Sequence, residues 1–137
     1  MKYFLDTNVF LRVAARENQK SFEECKRVLE RVKRSELEAV TAGLVLAEVA
    51  WTLGSHYKWE KNRVALVLKS IVNLGGLRFV NGYGAAGAVE RFSEKTVKFV
   101  DAMIGSIREV ADGEWIVVSY DRDFDKLGVK RVEPGAI

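Results

Sequence analysis

Four carboxylates stand in apolar stretches of this chain. Asp6 closes KYFLD, Glu48 interrupts LVLAEVAWTL, Asp101 interrupts KFVDAMIGSI, and Asp121 follows the run WIVVS by two residues. A lone carboxylate removed from water costs several kcal/mol or takes up a proton, so each of these needs a partner. Taken singly, each has an ordinary use. Asp6, followed by Thr7 and Asn8, suits a helix N-cap, and Asp101 suits the start of another helix. Glu48 lies too deep in its run to cap anything, which leaves an ion pair with an arginine. Taken together, they read as one cluster. Two carboxylates ~5 Å apart repel by roughly 3 kcal/mol at an effective dielectric of about 20, and only protons or a cation relieve this. The chain has one cysteine and one histidine, so the donors are oxygens, and an all-oxygen cluster selects a hard divalent ion, Mg²⁺ or Mn²⁺. Such an ion keeps several waters, grips phosphate and activates water for in-line attack on a phosphodiester. The expected chemistry is therefore metal-assisted nuclease action.

The elements that must bring these acids together follow from the hydrophobic pattern. Lys2–Asp6 reads as a buried strand and Asn8–Ala15 as a helix. A long amphipathic helix from Ser21 to Arg34 carries Phe22, Cys25, Val28, Leu29 and Val32 at helical spacing. Leu37–Thr41 reads as a strand, and Gly43–Tyr57 as an apolar, buried helix. Glu60–Asn73 is a further helix stopped by Gly75 and Gly76. Next come a strand at Leu77–Val80, helices at Ala85–Lys95 and Phe99–Val110, the strongest strand at Glu114–Ser119 and a short one at Val129–Val132. This alternation predicts an α/β fold, a three-layer sandwich around a mainly parallel sheet of four to five strands. Sites in such sheets form beyond the carboxyl ends of the strands. Asp6 and Asp121 follow strand ends, and helix N-termini lie over the same rim, so all four acids are placed to converge. Asp123 is a possible fifth, although it reads more readily as the cap of a helical turn over Phe124–Leu127. Ser119, Thr7 and Asn8 could position water or phosphate, or simply form turns.

At 137 residues, 48% hydrophobic and 30% charged, the chain reads as one domain spanning residues 1–137. The net charge of +3 leans basic, compatible with an acidic partner such as nucleic acid but short of a strongly cationic binder. A single cysteine excludes an internal disulfide framework and fits a reducing compartment. Asp6, Asn8 and Arg12 break the N-terminal apolar stretch, against a signal peptide. No apolar run approaches the ~18 residues of a membrane span. The expectation is a soluble, cytoplasmic protein.

Lys26, Arg27, Lys33 and Arg34 could follow a nucleic-acid backbone, but Glu23, Glu24 and Glu30 interleave with them and make a solvated helix face the simpler reading. Tyr57 and Trp59 could stack bases or belong to the core or a dimer contact. Arg12 and Arg122, close in sequence to the acids, are better candidates for contacting substrate, or for pairing with a spare carboxylate. The apolar residues between Gly43 and Asn73 exceed what one small sheet buries, an argument for a dimer.

In FLDTNVFLR, LVLAEVAWTL, FVDAMIGSI and VVSYDRDF, in that order over nearly the whole length, the chain resembles PIN-domain ribonucleases, and most of all the stand-alone VapC-type toxins. The resemblance implies that Asp6, Glu48, Asp101 and Asp121 are the metal-binding acids, with Asp123 accessory. It further implies Mg²⁺- or Mn²⁺-dependent endoribonuclease activity, a homodimer, and an antitoxin protein that blocks the site. An RNA-processing nuclease without an antitoxin, or a non-catalytic module binding RNA or protein, are the alternatives within the same fold. A phosphatase of the haloacid dehalogenase type also opens on a strand ending in Asp. It needs an acid two residues later, where this chain has Asn8.

Overall fold

Strand β1 (Lys2–Leu5) is the centre of the molecule, and Phe4 and Leu5 in it are wholly buried. A strand covered on both faces must be apolar on both, which is why it reads as a continuous hydrophobic run and not an alternation. The computed structural model describes residues 1–137 and places β1 between β2 (Glu38–Ala42) and β4 (Trp115–Val118). All four strand pairings are parallel, with Phe4 level with Val40 on one side and Val117 on the other. β3 (Leu77–Val80) and β5 (Arg131–Val132) close the edges, giving the order β3-β2-β1-β4-β5. Between β1 and β3 the chain steps outward through α1 (Thr7–Ala15), α2 (Gln19–Lys33), α3 (Gly43–Trp51) and α4 (Lys61–Val72). It then crosses back through α5 (Ala85–Glu94), α6 (Phe99–Gly105) and α7 (Arg108–Ala111) to β4, and α8 (Asp123–Lys126) leads to β5. Right-handed crossovers put helices reached by outward steps in opposite directions on opposite faces of a sheet. In agreement, α1 packs on α2 and α3, whereas α6 packs on α5, α7 and α8. The result is the expected α/β sandwich with five parallel strands. The reversal of direction lies between β1 and β4.

Strand positions match the sequence reading closely; the helices depart from it in two places. Gly43–Tyr57 is α-helical only to Trp51 and then widens into a π-helical turn over Thr52–His56. Spacing does not reveal such a turn, because a segment of five residues is too short for its period to be told from that of an α-helix. The helix expected at Phe99–Val110 breaks at Ser106 and Ile107. Ile107 takes an extended backbone, and the Ser106 hydroxyl donates to the Met103 carbonyl (2.6 Å). The break lets Ile107 and Val110 both reach the core.

The core is a cluster of 22 buried residues built from Phe4 and Leu5, Val9 and Phe10, Val28 and Val32, Val45 and Val49, Ile104, and Val117 and Val118, among others. α3 is not buried all round, contrary to its composition. Trp51 is 67% exposed, and Ala47 also faces solvent. No helix is long and apolar enough to cross a membrane.

Candidate functional site

The two strands that flank the reversal end in Leu5 and Val118, and the residues that follow them meet. The Asp6 amide extends the ladder by donating to the Val118 carbonyl (3.2 Å). Ser119, fully buried, donates its hydroxyl to Asp6 Oδ2 (2.7 Å). It accepts from Asn8 Nδ2 (3.0 Å) and from the Asp121 amide (3.0 Å), which uses its one proton and both lone pairs. Asn8 also reaches Asp6 Oδ2 (3.2 Å), and its own Oδ1 accepts from the Tyr120 amide (3.4 Å). Ser119 and Asn8 are thus the clamp that fixes Asp6. Asp6 precedes α1 yet makes no capping hydrogen bond to it, so its carboxylate is free of the ordinary use. Its other oxygen, Oδ1, is buried without a partner, as is the Thr7 hydroxyl beside it.

Asp101, in the first turn of α6, is 2% exposed, and its Oδ2 likewise has no partner. Asp6, Thr7, Asn8, Glu48, Lys98 and Asp101 line one cleft of about 230 Å³. Glu48 corrects the reading of its helix: it is only partly buried, on the flank of α3 that faces this cleft, and no arginine pairs with it. Its apolar neighbours suggested full burial, but two of them, Ala47 and Trp51, themselves face solvent. Asp101 also belongs to a second grouping, in which it offers an oxygen within 4.8 Å of oxygens from Asp121 and Asp123. Asp101 therefore joins the two halves of the acidic cluster. Asp123 does not cap α8. It is the first residue of that helix, and the Asp121 Oδ1 accepts its amide (2.9 Å). The Asp123 carboxylate instead accepts from the Lys98 amide (3.3 Å) and pairs with Lys126 (3.3 Å).

The electrostatics follow from this crowding. Burial pushes the Asp6 carboxyl up to about 6; the Ser119 hydrogen bond opposes this and the charges of Glu48 and Asp121 add to it. Burial, with repulsion from Asp6 and Asp121, pushes Asp101 up to about 8. Burial works the same way on Asp121, but the Lys98 ammonium (2.8 Å) and the Asp123 amide outweigh it and hold the carboxyl below its usual range. Lys98 is the residue that the sequence did not point to. A lysine ahead of an apolar helix looks like any surface charge, and nothing in the spacing ties it to Asp121, 23 positions away. One ammonium against Asp6, Glu48, Asp101 and Asp121 leaves an excess of negative charge. Buried, unpartnered oxygens on Asp6 and Asp101 in an all-oxygen donor set fit a hard divalent cation.

The remaining candidates are less engaged. Arg12 lies over the Tyr120 ring (5.3 Å) and lines an adjoining cleft with Asn8 and Tyr57. Arg122 is exposed at the start of α8. Trp59 has its ring covered by Arg63 (3.5 Å), and both Tyr57 and Trp59 pack on the core. The basic residues of α2 behave as a solvated face, with Lys26 paired to Glu30 (3.9 Å). An apolar groove of about 270 Å³ between α1, α2 and α4, floored by Phe10, Val13 and Ile71, contains no titratable group.

The family model described as PIN domain matches residues 3–130. A VapC ribonuclease of Aquifex aeolicus (strain VF5) is 28% identical over 130 residues, covering 95% of each chain. Among solved structures, VapBC2 from Rickettsia felis, bound to a DNA fragment from its promoter, superposes with a TM-score of 0.69 at 15% identity, covering 97% of this chain and 98% of the other. VapBC-1 from nontypeable Haemophilus influenzae gives 0.65 at 12% identity, covering 98% of both. Similarity at those identities establishes a shared fold.

Proposed function

Because the chain belongs to the PIN-domain family, we propose that it is a metal-dependent endoribonuclease, of the kind that acts as the toxin of a toxin–antitoxin pair. The observation that carries this reading is the pair of buried, unpartnered carboxylate oxygens on Asp6 and Asp101, set at the strand reversal and joined by Glu48 and Asp121. Asp6, Glu48, Asp101 and Asp121 would hold Mg²⁺ or Mn²⁺, with Asp123 accessory, and the bound ion would polarise a phosphoryl oxygen and acidify water. The protein's own part is positioning. Ser119 and Asn8 keep Asp6 in one orientation, which matters because a displacement of about 1 Å can cost on the order of 100-fold in rate. The free Thr7 hydroxyl is available to a phosphate oxygen or to the attacking water. That water adds to phosphorus in line with the departing ribose oxygen; the P–O bond to that oxygen breaks, the water's proton passes to a carboxylate at the cleft, and the ribose oxygen leaves as a hydroxyl with a proton taken from solvent. Arg12, in the adjoining cleft, and the exposed Arg122 would hold flanking phosphates.

The similarity to a VapC ribonuclease supports the activity, and the resemblance of the motifs to the toxins supports an inhibitory protein partner. Exposed Trp51, Leu66, Phe92 and Phe99 support a homodimer, and the free Cys25 suits a reducing compartment such as the cytoplasm. The test is cleavage of RNA by the purified protein with Mg²⁺ or Mn²⁺. Cleavage is expected to vanish with EDTA and with Asp6→Asn. Cleavage that survives both overturns the proposal, and metal binding with no turnover on any RNA would make the protein a binding module.

A further inference from the structure

Lys98 is placed unlike any other basic residue of the chain. It is the N-cap of α6, three residues before Asp101, and its amide is held by Asp123 Oδ2 (3.3 Å), which fixes its Cα at the edge of the acidic cleft. From there its ammonium reaches Asp121 Oδ2 at 2.8 Å. It is the one basic residue lining the cleft that holds Asp6, Glu48 and Asp101. Burial opposes the charge of the ammonium, but the hydrogen bond to Asp121 and the fields of Asp101, Asp121 and Glu48 outweigh it. The Lys98 side chain is nevertheless 64% exposed, against 20% for Asp121. The contact is therefore made from the mouth of the cleft, with most of the lysine side chain open to solvent.

We infer that Lys98 is a tethered counter-ion of the acidic centre, occupying the neighbourhood of Asp121 when no divalent cation is bound and swinging out to solvent when one binds. The physical reasons are charge and tether. Four clustered carboxylates without any cation destabilise the fold, and a single ammonium on a flexible four-carbon stem relieves part of the repulsion while most of its side chain stays in solvent. A divalent ion carries twice the charge and accepts several carboxylates at once, so it displaces the ammonium from Asp121. The displacement costs binding energy, and linkage makes the competition reciprocal: whatever Lys98 adds to the stability of the metal-free protein it subtracts from metal affinity. The inference rests on the metal-binding part of the proposed function and is independent of whether RNA is cleaved.

The experiment uses the full chain and its Lys98→Gln and Lys98→Arg variants. Mn²⁺ binding is followed by electron paramagnetic resonance and thermal unfolding by circular dichroism in EDTA. Lys98→Gln should bind Mn²⁺ about tenfold more tightly and unfold at a lower temperature without metal, while Lys98→Arg, which keeps the charge, stays close to the parent. Unchanged affinity and unchanged metal-free stability in Lys98→Gln would make the lysine a solvated bystander and overturn the inference, as would weaker Mn²⁺ binding. A second measurement needs no variant. Acetylation of Lys98 in the parent protein, read by mass spectrometry, should rise severalfold on adding Mn²⁺ as the ammonium leaves Asp121; unaltered or lower reactivity rejects the displacement. Absence of RNA cleavage in the same preparation would count against the nuclease reading and leave these readouts intact.

Discussion

Ser119 shows how one small side chain organises the site. Its hydroxyl serves Asp6, Asn8 and the Asp121 amide together, and it is fully buried. Replacing it by alanine takes a partner from the buried Asp6 carboxylate and from the part-buried Asn8 and Asp121 N–H groups, at a cost of about 1–3 kcal/mol. Ser119→Ala is therefore expected to lower the urea midpoint by a corresponding amount. It should also weaken Mn²⁺ binding most at mildly acidic pH, because losing the hydrogen bond that lowers the Asp6 carboxyl lets that group stay protonated longer. Isothermal titration at several pH values checks this, and a pH-independent effect would make Ser119 merely a packing residue. The sequence offered two uses for this residue, positioning water or phosphate or forming a turn. In the structure its hydroxyl is taken up by Asp6 and Asn8, more than 100 positions away in sequence, and by the Asp121 amide.

At the level of elements, the strands were legible because buried parallel strands are short apolar runs that little else imitates. The helix ends were less so. The π-helical turn at Thr52–His56 and the break at Ser106 leave no mark in the apolar spacing. The link between α4 and β3 was marked by its glycines, and one of them is required by geometry. Gly76 has φ +84°, and a Cβ there would overlap the Val32 carbonyl of α2. Gly76→Ala is expected to destabilise the protein by about 2 kcal/mol, from left-handed strain and the displaced contact. Chemical denaturation measures it, while metal affinity of the folded fraction should stay unchanged because Gly76 lies at the end of the sheet away from the acids. Neighbouring Gly75 has open space where its Cβ would go and should tolerate alanine, which makes it the control.

For the whole molecule, the cluster ties stability to pH and to metal. With no metal bound, Asp6 and Asp101 have carboxyls raised to about 6 and about 8, above the 3.8 of an unfolded chain. The native state then binds more protons than the unfolded state between about 4 and 8, so these two groups make stability fall as pH rises through that window. Asp121, held low by Lys98, acts in the opposite sense and only at more acidic pH. In EDTA the thermal midpoint should therefore be higher near pH 5 than near pH 8, and added Mn²⁺ should raise it more near pH 8, where Asp6 is ionised and Asp101 gives up its proton more readily. Thermal scans with and without metal decide this; an EDTA midpoint that rises steadily from pH 5 to pH 8 would contradict the buried cluster. The sequence by itself determined that apolar strands alternate with helices and that four acids follow strand ends or interrupt apolar helices, because those features are local patterns of burial. It did not determine that Glu48 is only partly buried, that Asp121 and not Asp123 accepts the first amide of α8, or that Lys98 stands beside Asp121. These were decided by tertiary structure: the reversal between β1 and β4 brings side chains from distant segments within a few ångströms, and the solvent access and fields that set their charge states exist only once that packing has formed.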